Sequence, residues 1–173
     1  MDSRLPKLIF ALLAIYAAFY FSQAYAQLPE VVASHFDGRG HVNGWQTKSA
    51  FFITIIVVSV LACIVGFAIP ALMSVLPPEL VNLPNKKYWL GPEHRAETIE
   101  FLNTHFAWFA CGLFLLIILT FEYALQFNFH PGHPPSPTRM WYLIGAFIAF
   151  SLLLTLRLFV KFLRAPQELT FQK

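Results

Sequence analysis

LPEVVASHFDGRGHVNGWQTK, residues 28–48, is the polar interval that divides the first half of an otherwise apolar chain. It carries Glu30, His35, Asp37, Arg39, His41, Asn43, Trp45 and Lys48. Asp37-Gly38 and Asn43-Gly44 are turn-forming pairs, because Gly, Asn and Asp tolerate positive φ. The pattern predicts a short extended segment over 30–36, a tight reversal, and a return to the membrane at Trp45. Trp45 fits an interfacial anchor, since its ring is apolar and its N–H polar.

The apolar runs on either side set the fold class. Residues 8–26 and 50–76 are each long enough to cross a ~30 Å hydrocarbon core. Two further runs follow at 99–127 and 140–163. The reading is an all-α membrane protein of four transmembrane helices in one domain, residues 1–173. The first run has a rival reading as a signal peptide, with Ala24-Tyr25-Ala26 as an A-x-A site, but its length favours a retained anchor. In the second run Gly66 and Pro70 predict a bend. Ser59, Ala62, Cys63 and Gly66 recur at a spacing suited to close helix packing. Gly91-Pro92 predicts a helix start, with Glu93, Glu97 and Glu100 favouring the positive end of its dipole. Four prolines within residues 128–138 predict a short, stiff connection.

Composition agrees. The 173 residues are 57% hydrophobic and only 12% charged, against roughly 25% charged in a soluble domain. The basic residues flank the apolar runs instead of forming one stripe, which excludes a nucleic-acid partner. With the N-terminus cytoplasmic, Arg4, Lys7, Lys86, Lys87, Arg95, Arg157, Lys161, Arg164 and Lys173 lie inside and Arg39, Lys48 and Arg139 outside. That bias predicts both termini in the cytoplasm, an extracytoplasmic loop 28–48 and an interfacial cytoplasmic segment 77–98. The expected partners are the lipid bilayer and, in an assembly, other membrane protein subunits. A helical bundle of this kind belongs in a bacterial cytoplasmic membrane.

Chemistry is sparse. His35, Asp37 and His41 from the first loop, with His130 and His133 from the second, are the residue types of a zinc or copper site. The H-x-D and H-P-G-H spacings are no established metal signature, and a hydrogen-bonded turn explains His35 and Asp37 equally well. The spacing therefore predicts no resident metal and no cofactor. Asn82, Lys86, Lys87, Tyr88, Trp89, Glu93, Arg95 and Glu97 combine basic, aromatic and acidic groups suited to headgroups or a docking partner. Glu122 and Arg157 lie near span ends and are expected to snorkel, and His105 to bond a neighbouring helix. Cys63 and Cys111 sit in apolar runs, against a disulfide framework or zinc site. No phosphate loop, nucleophile elbow or haem-ligand pair occurs, so no stand-alone enzyme is expected.

Two separated motifs carry a resemblance. Leu28, Pro29, Ser34, His35, Phe36, Asp37, Gly40, Gly44, Trp45 and Lys48 are similar to the first loop of a family of small bacterial membrane proteins named only as a domain of unknown function. That family also forms the N-terminal part of SdpI-like toxin-immunity and signalling proteins. Residues 82–98, NLPNKKYWLGPEHRAET, resemble a second segment of the family. The resemblance implies a non-enzymatic membrane protein with a sensing, binding or immunity role through His35, Asp37, His41 and Trp45. The further C-terminal membrane region of SdpI-like proteins has no counterpart here. Two alternatives are an accessory subunit of a membrane complex, suited to 19 Phe and 4 Trp, and a small transporter or metal binder using the outer histidines.

Overall fold

A computed structural model describes residues 3–133 and 135–164. The predicted tail beyond 164, Lys173 included, and Pro134 lie outside the described residues. Four helices are long and apolar enough to cross a membrane: Arg4–Gln27, Lys48–Val75, Arg95–Phe129 and Pro137–Leu163. The chain is thus a mostly helical, multi-pass membrane protein by the length and composition of its helices. These helices lie over the four predicted apolar runs; the third begins at Arg95, after turns at 91–94 where Gly91-Pro92 predicted a helix start.

One correction concerns the loop. Residues 28–48 are not simple coil between helices. After α1 (Arg4–Gln27), β1 (Val31–Phe36) and β2 (Val42–Thr47) pair as an antiparallel hairpin, so the fold is not strictly all-α. The reversal is at Asp37, as expected, with Gly40 at φ +83°. The second expected turn is absent: Asn43-Gly44 lies within β2, and Gly44 sits opposite His35, where a side chain would meet the His35 Cβ at 2.8 Å.

Thr47 starts the next helix by accepting a hydrogen bond from the Ala50 amide at 3.2 Å, the ordinary N-cap arrangement. Helix α2 (Lys48–Cys63) passes through a π-helical turn (Ile64–Ala68) into α3 (Ile69–Val75), and a one-turn helix, α4 (Lys86–Trp89), follows in the connection to the third span. The predicted bend therefore takes a defined form. Pro70 lacks an amide hydrogen and crowds the carbonyl one turn back, and the wider turn, with Ile69 N–H donating to Ile64 O, precedes it. Of the small residues, Ala62 and Gly66 are buried while Cys63 is exposed.

Helix α5 (Arg95–Phe129) is the mast of the bundle. At 35 residues it is ~52 Å long, well beyond the ~30 Å hydrocarbon core. Helices α1, α2, α3 and α6 (Pro137–Leu163), with β1, all pack on it. The main core gathers Phe10, Phe21, Phe51, Phe114 and Ile118. Because Pro6 of α1 lies beside Cys111, whose Sγ is 3.1 Å from the Pro6 carbonyl, α1 does not cover the first turns of α5. A second cluster does, built from Val81, Leu83, Leu90, Leu102 and Phe162. The bundle thus has a hairpin end and, opposite it, an end closed by residues 76–94.

Candidate functional site

At the hairpin end the local chain is held by its own polar groups. Asp37 Oδ1 accepts from the Arg39 amide at 2.8 Å and the His41 amide at 2.9 Å. Its other oxygen lies 3.2 Å from His41 Nδ1. The hydrogen bond from the His41 amide, ahead of the other contacts, holds the Asp37 carboxyl below its ordinary value, because amide donors favour the ionised form. A group depressed in the fold stabilises it above its unfolded pKa, and that contribution is lost as pH falls through the folded value. The Arg39 amide resonance is therefore expected to move below about pH 4. Asp37→Asn should abolish that acid step; an acid transition of unchanged midpoint in the variant would assign it elsewhere.

Docking of the hairpin joins Phe36 of the first motif to α5 and α6 groups that belong to neither motif. Asn128, in the last turn of α5, accepts from the Ala33 amide at 2.8 Å and donates to the Ala33 carbonyl at 2.9 Å. Phe36 packs edge-on against Tyr123 and Phe127. Trp141 Nε1 donates to the Gly38 carbonyl at 3.0 Å, tying the hairpin tip to α6. The only hint in the sequence is that polar and aromatic groups cluster at the ends of these helices.

These contacts enclose a cleft of about 450 Å³ between the hairpin, α5 and α6. Phe51, Phe121, Leu116 and Trp141 form apolar walls, and Ser34, His35, Asp37 and Thr120 supply polar groups. A volume of this size falls in the range of small-ligand pockets. Of the four predicted loop residues, His35 and Asp37 line the cleft. His41 is turned to solvent, and Trp45 is 62% exposed on β2. The histidines do not converge. His35 Nδ1 is hydrogen-bonded to Asn43 Oδ1, and register shifts on either side of His35 bring the two together. Among the described residues no three His, Cys, Asp or Glu side chains come close enough to hold a metal ion.

The second motif builds a clasp at the opposite end. Asn85, in the left-handed region at φ 53°, donates to the Phe162 carbonyl at 2.9 Å, and Trp89 Nε1 reaches the same oxygen at 3.3 Å. Together they satisfy a carbonyl in the last turn of α6 that has no partner within the helix. The Arg95 guanidinium donates to the carbonyls of Ser74 and Leu76 at 3.1 and 2.9 Å, closing α3 in the same way. Lys86 Nζ reaches the Glu79 carbonyl, and Tyr88 stacks against His94. Lys161 pairs with Glu97 at 2.7 Å and lies over the rings of Trp89 and Phe101. Asn82, Lys87 and Glu93 are exposed. Much of the predicted partner surface is thus spent on internal capping.

Glu122 pairs with Arg139 at 3.0 Å. Arg157 lies over the Phe101 ring. His105 is buried with its ring near Phe101, and its Nδ1 has no hydrogen-bond partner in the described structure, so it does not bond a neighbouring helix through that atom. The two cysteines are free thiols.

No curated protein and no solved structure matches the chain. Residues 8–59 match the family described as "Domain of unknown function (DUF1648)"; the match covers most of α1, the hairpin and most of α2, and leaves α3, the clasp, α5 and α6 outside it.

Proposed function

We propose that the protein is a non-enzymatic membrane receptor of the SdpI-like kind. In this reading the hairpin end is extracytoplasmic, and the cleft beneath it takes an apolar segment of an amphipathic peptide, in a sensing or immunity role. The observation that carries it is the cleft itself: apolar walls from α5 and α6, with Ser34, His35 and Asp37 along one edge. Apolar walls with a few placed polar groups are the usual makeup of a binding pocket. The basic residues gathered at the clasp end support the orientation.

The test is a challenge of bacteria producing the full chain with membrane-active bacterial peptides. Protection is expected to be severalfold and to be lost in Thr120→Trp, which fills the cleft, at equal membrane abundance. Absence of protection, together with no peptide retained by the purified chain, would sink the reading. A second reading, an accessory subunit of a larger complex, is favoured by α6, whose one buried residue is Phe162. Native mass spectrometry in mild detergent separates the two, since a stable hetero-assembly supports only the subunit.

A further inference from the structure

A second groove lies along another face of the α5–α6 pair, within the apolar part of the bundle. Helices α1 and α6 both pack on α5 and leave between them a cleft of about 400 Å³. Ile9 and Leu13 form one wall, Leu143 and Phe147 the other, and Leu115 and Leu119 lie between. Its deeper end is closed by Phe150, whose ring sits where a Gly112 side chain would be, 2.4 Å from the position of a Cβ.

The groove is apolar along its length but not at its mouth. One turn beyond Leu119 on the same face of α5 stands Glu122, and one turn before Leu143 on α6 stands Arg139. The two are paired at 3.0 Å, and Gln126 joins them: its Nε2 donates to Glu122 at 2.9 Å, and its Oε1 accepts from Arg139 at 3.1 Å. On α1, Tyr16 and Tyr20 are stacked along the line of Leu13, and Tyr20 lies within electrostatic reach of both charges. The Glu122 and Arg139 side chains keep 23% and 37% of their exposure. The bonds to Glu122 and Gln126 use two of the five N–H donors of the guanidinium. The site therefore presents one cationic and one anionic group side by side, with hydrogen-bonding capacity left on each.

A lone anion finds Glu122 beside its binding group, and a lone cation finds Arg139. A headgroup carrying both charges meets each with its opposite. We propose that this groove is a specific site for a phospholipid bearing a phosphate and a primary ammonium. One acyl chain lies between α1 and α6, the phosphate rests on Arg139, and the ammonium donates to Glu122. The apolar length leading straight to a charge pair at the hairpin-end interface is what a lipid offers in reverse.

The test uses the full chain in detergent micelles, titrated with phosphatidylethanolamine, phosphatidylcholine and phosphatidylglycerol of identical acyl chains and followed by native mass spectrometry. One molecule of phosphatidylethanolamine is expected to bind about tenfold more tightly than either other lipid, the effect of one charge-assisted hydrogen bond. Glu122→Gln should bring phosphatidylethanolamine and phosphatidylglycerol close to parity. Ala146→Phe, at an exposed position in the groove, should weaken phosphatidylethanolamine with helix content unchanged. Equal binding of all three lipids, full binding by Ala146→Phe, or a tight homodimer that excludes lipid would each overturn the proposal.

Discussion

Gly66→Ala is expected to destabilise the bundle by about 1–3 kcal/mol, and Ala110→Gly to restore most of the loss. The sign is not obvious, because replacing glycine by alanine inside a helix ordinarily gains up to about 1 kcal/mol. Geometry decides it. A Cβ at Gly66 would stand 2.3 Å from the Ala110 Cβ, and neither atom can swing away, since both are fixed to helical backbone. The helices must separate, and the interface loses dispersion contacts along the Phe10, Phe67 and Phe114 cluster. Gly66 also lies in the π-helical turn ahead of Pro70, so α2 has little freedom to shift one residue. In the double variant the methyl group only changes sides, and the contact is restored. The measurement is unfolding of all four variants in mixed micelles, read as a double-mutant cycle. A Gly66→Ala protein as stable as the wild type would mean that these helices do not pack at this closeness.

That contact shows how much of the fold the sequence carries. Gly66 and Pro70 stand out in an unbroken apolar run, so a bend and a close approach follow from residue type alone. The partner, Ala110, does not, because a small residue in a long apolar helix gives no sign of what faces it. The loop divides in the same way. Asp37-Gly38 marks a reversal by local chemistry, and the reversal is there. Asn43-Gly44 has the same local chemistry yet lies within β2, because pairing with the His35 region outweighs turn preference. The clasp residues drew attention as a lipid or partner surface. Nothing in the order Asn85, Trp89, Arg95 tells that their hydrogen bonds end on carbonyls of α3 and α6, tens of residues away in one case. Capping of helix ends is legible when donor and acceptor are neighbours in the chain and hidden when the fold brings them together. The candidate site shares this limit: His35 and Asp37 were visible, while the α5 and α6 walls were not.

Asn128→Leu is expected to cost about 2–4 kcal/mol and to release the hairpin from the bundle. The replacement keeps most of the volume and removes every polar contact of the side chain. Ala33 is fully buried, and its amide and carbonyl on this edge of β1 both end on the Asn128 carboxamide. The carboxamide stands in for one residue of a third strand. With leucine there, a buried donor and a buried acceptor lose their partners together, at about 1–3 kcal/mol for each group. Asn128→Asp tests the same contact with the shape intact. The carboxylate still accepts from the Ala33 amide, but it faces the carbonyls of Ala33 and Ala124, to which the amide now donates at 2.9 and 2.7 Å. Amide exchange at Val32, Ala33 and Ser34 is the direct readout and should accelerate in both variants, while exchange in the middle of α5 stays slow. The cleft opens with the hairpin, so any peptide held there is lost as well. If the Ala33 amide stays protected in Asn128→Leu, docking is carried by Phe36 against Tyr123 and Phe127, and Phe36→Ala becomes the substitution that frees the hairpin.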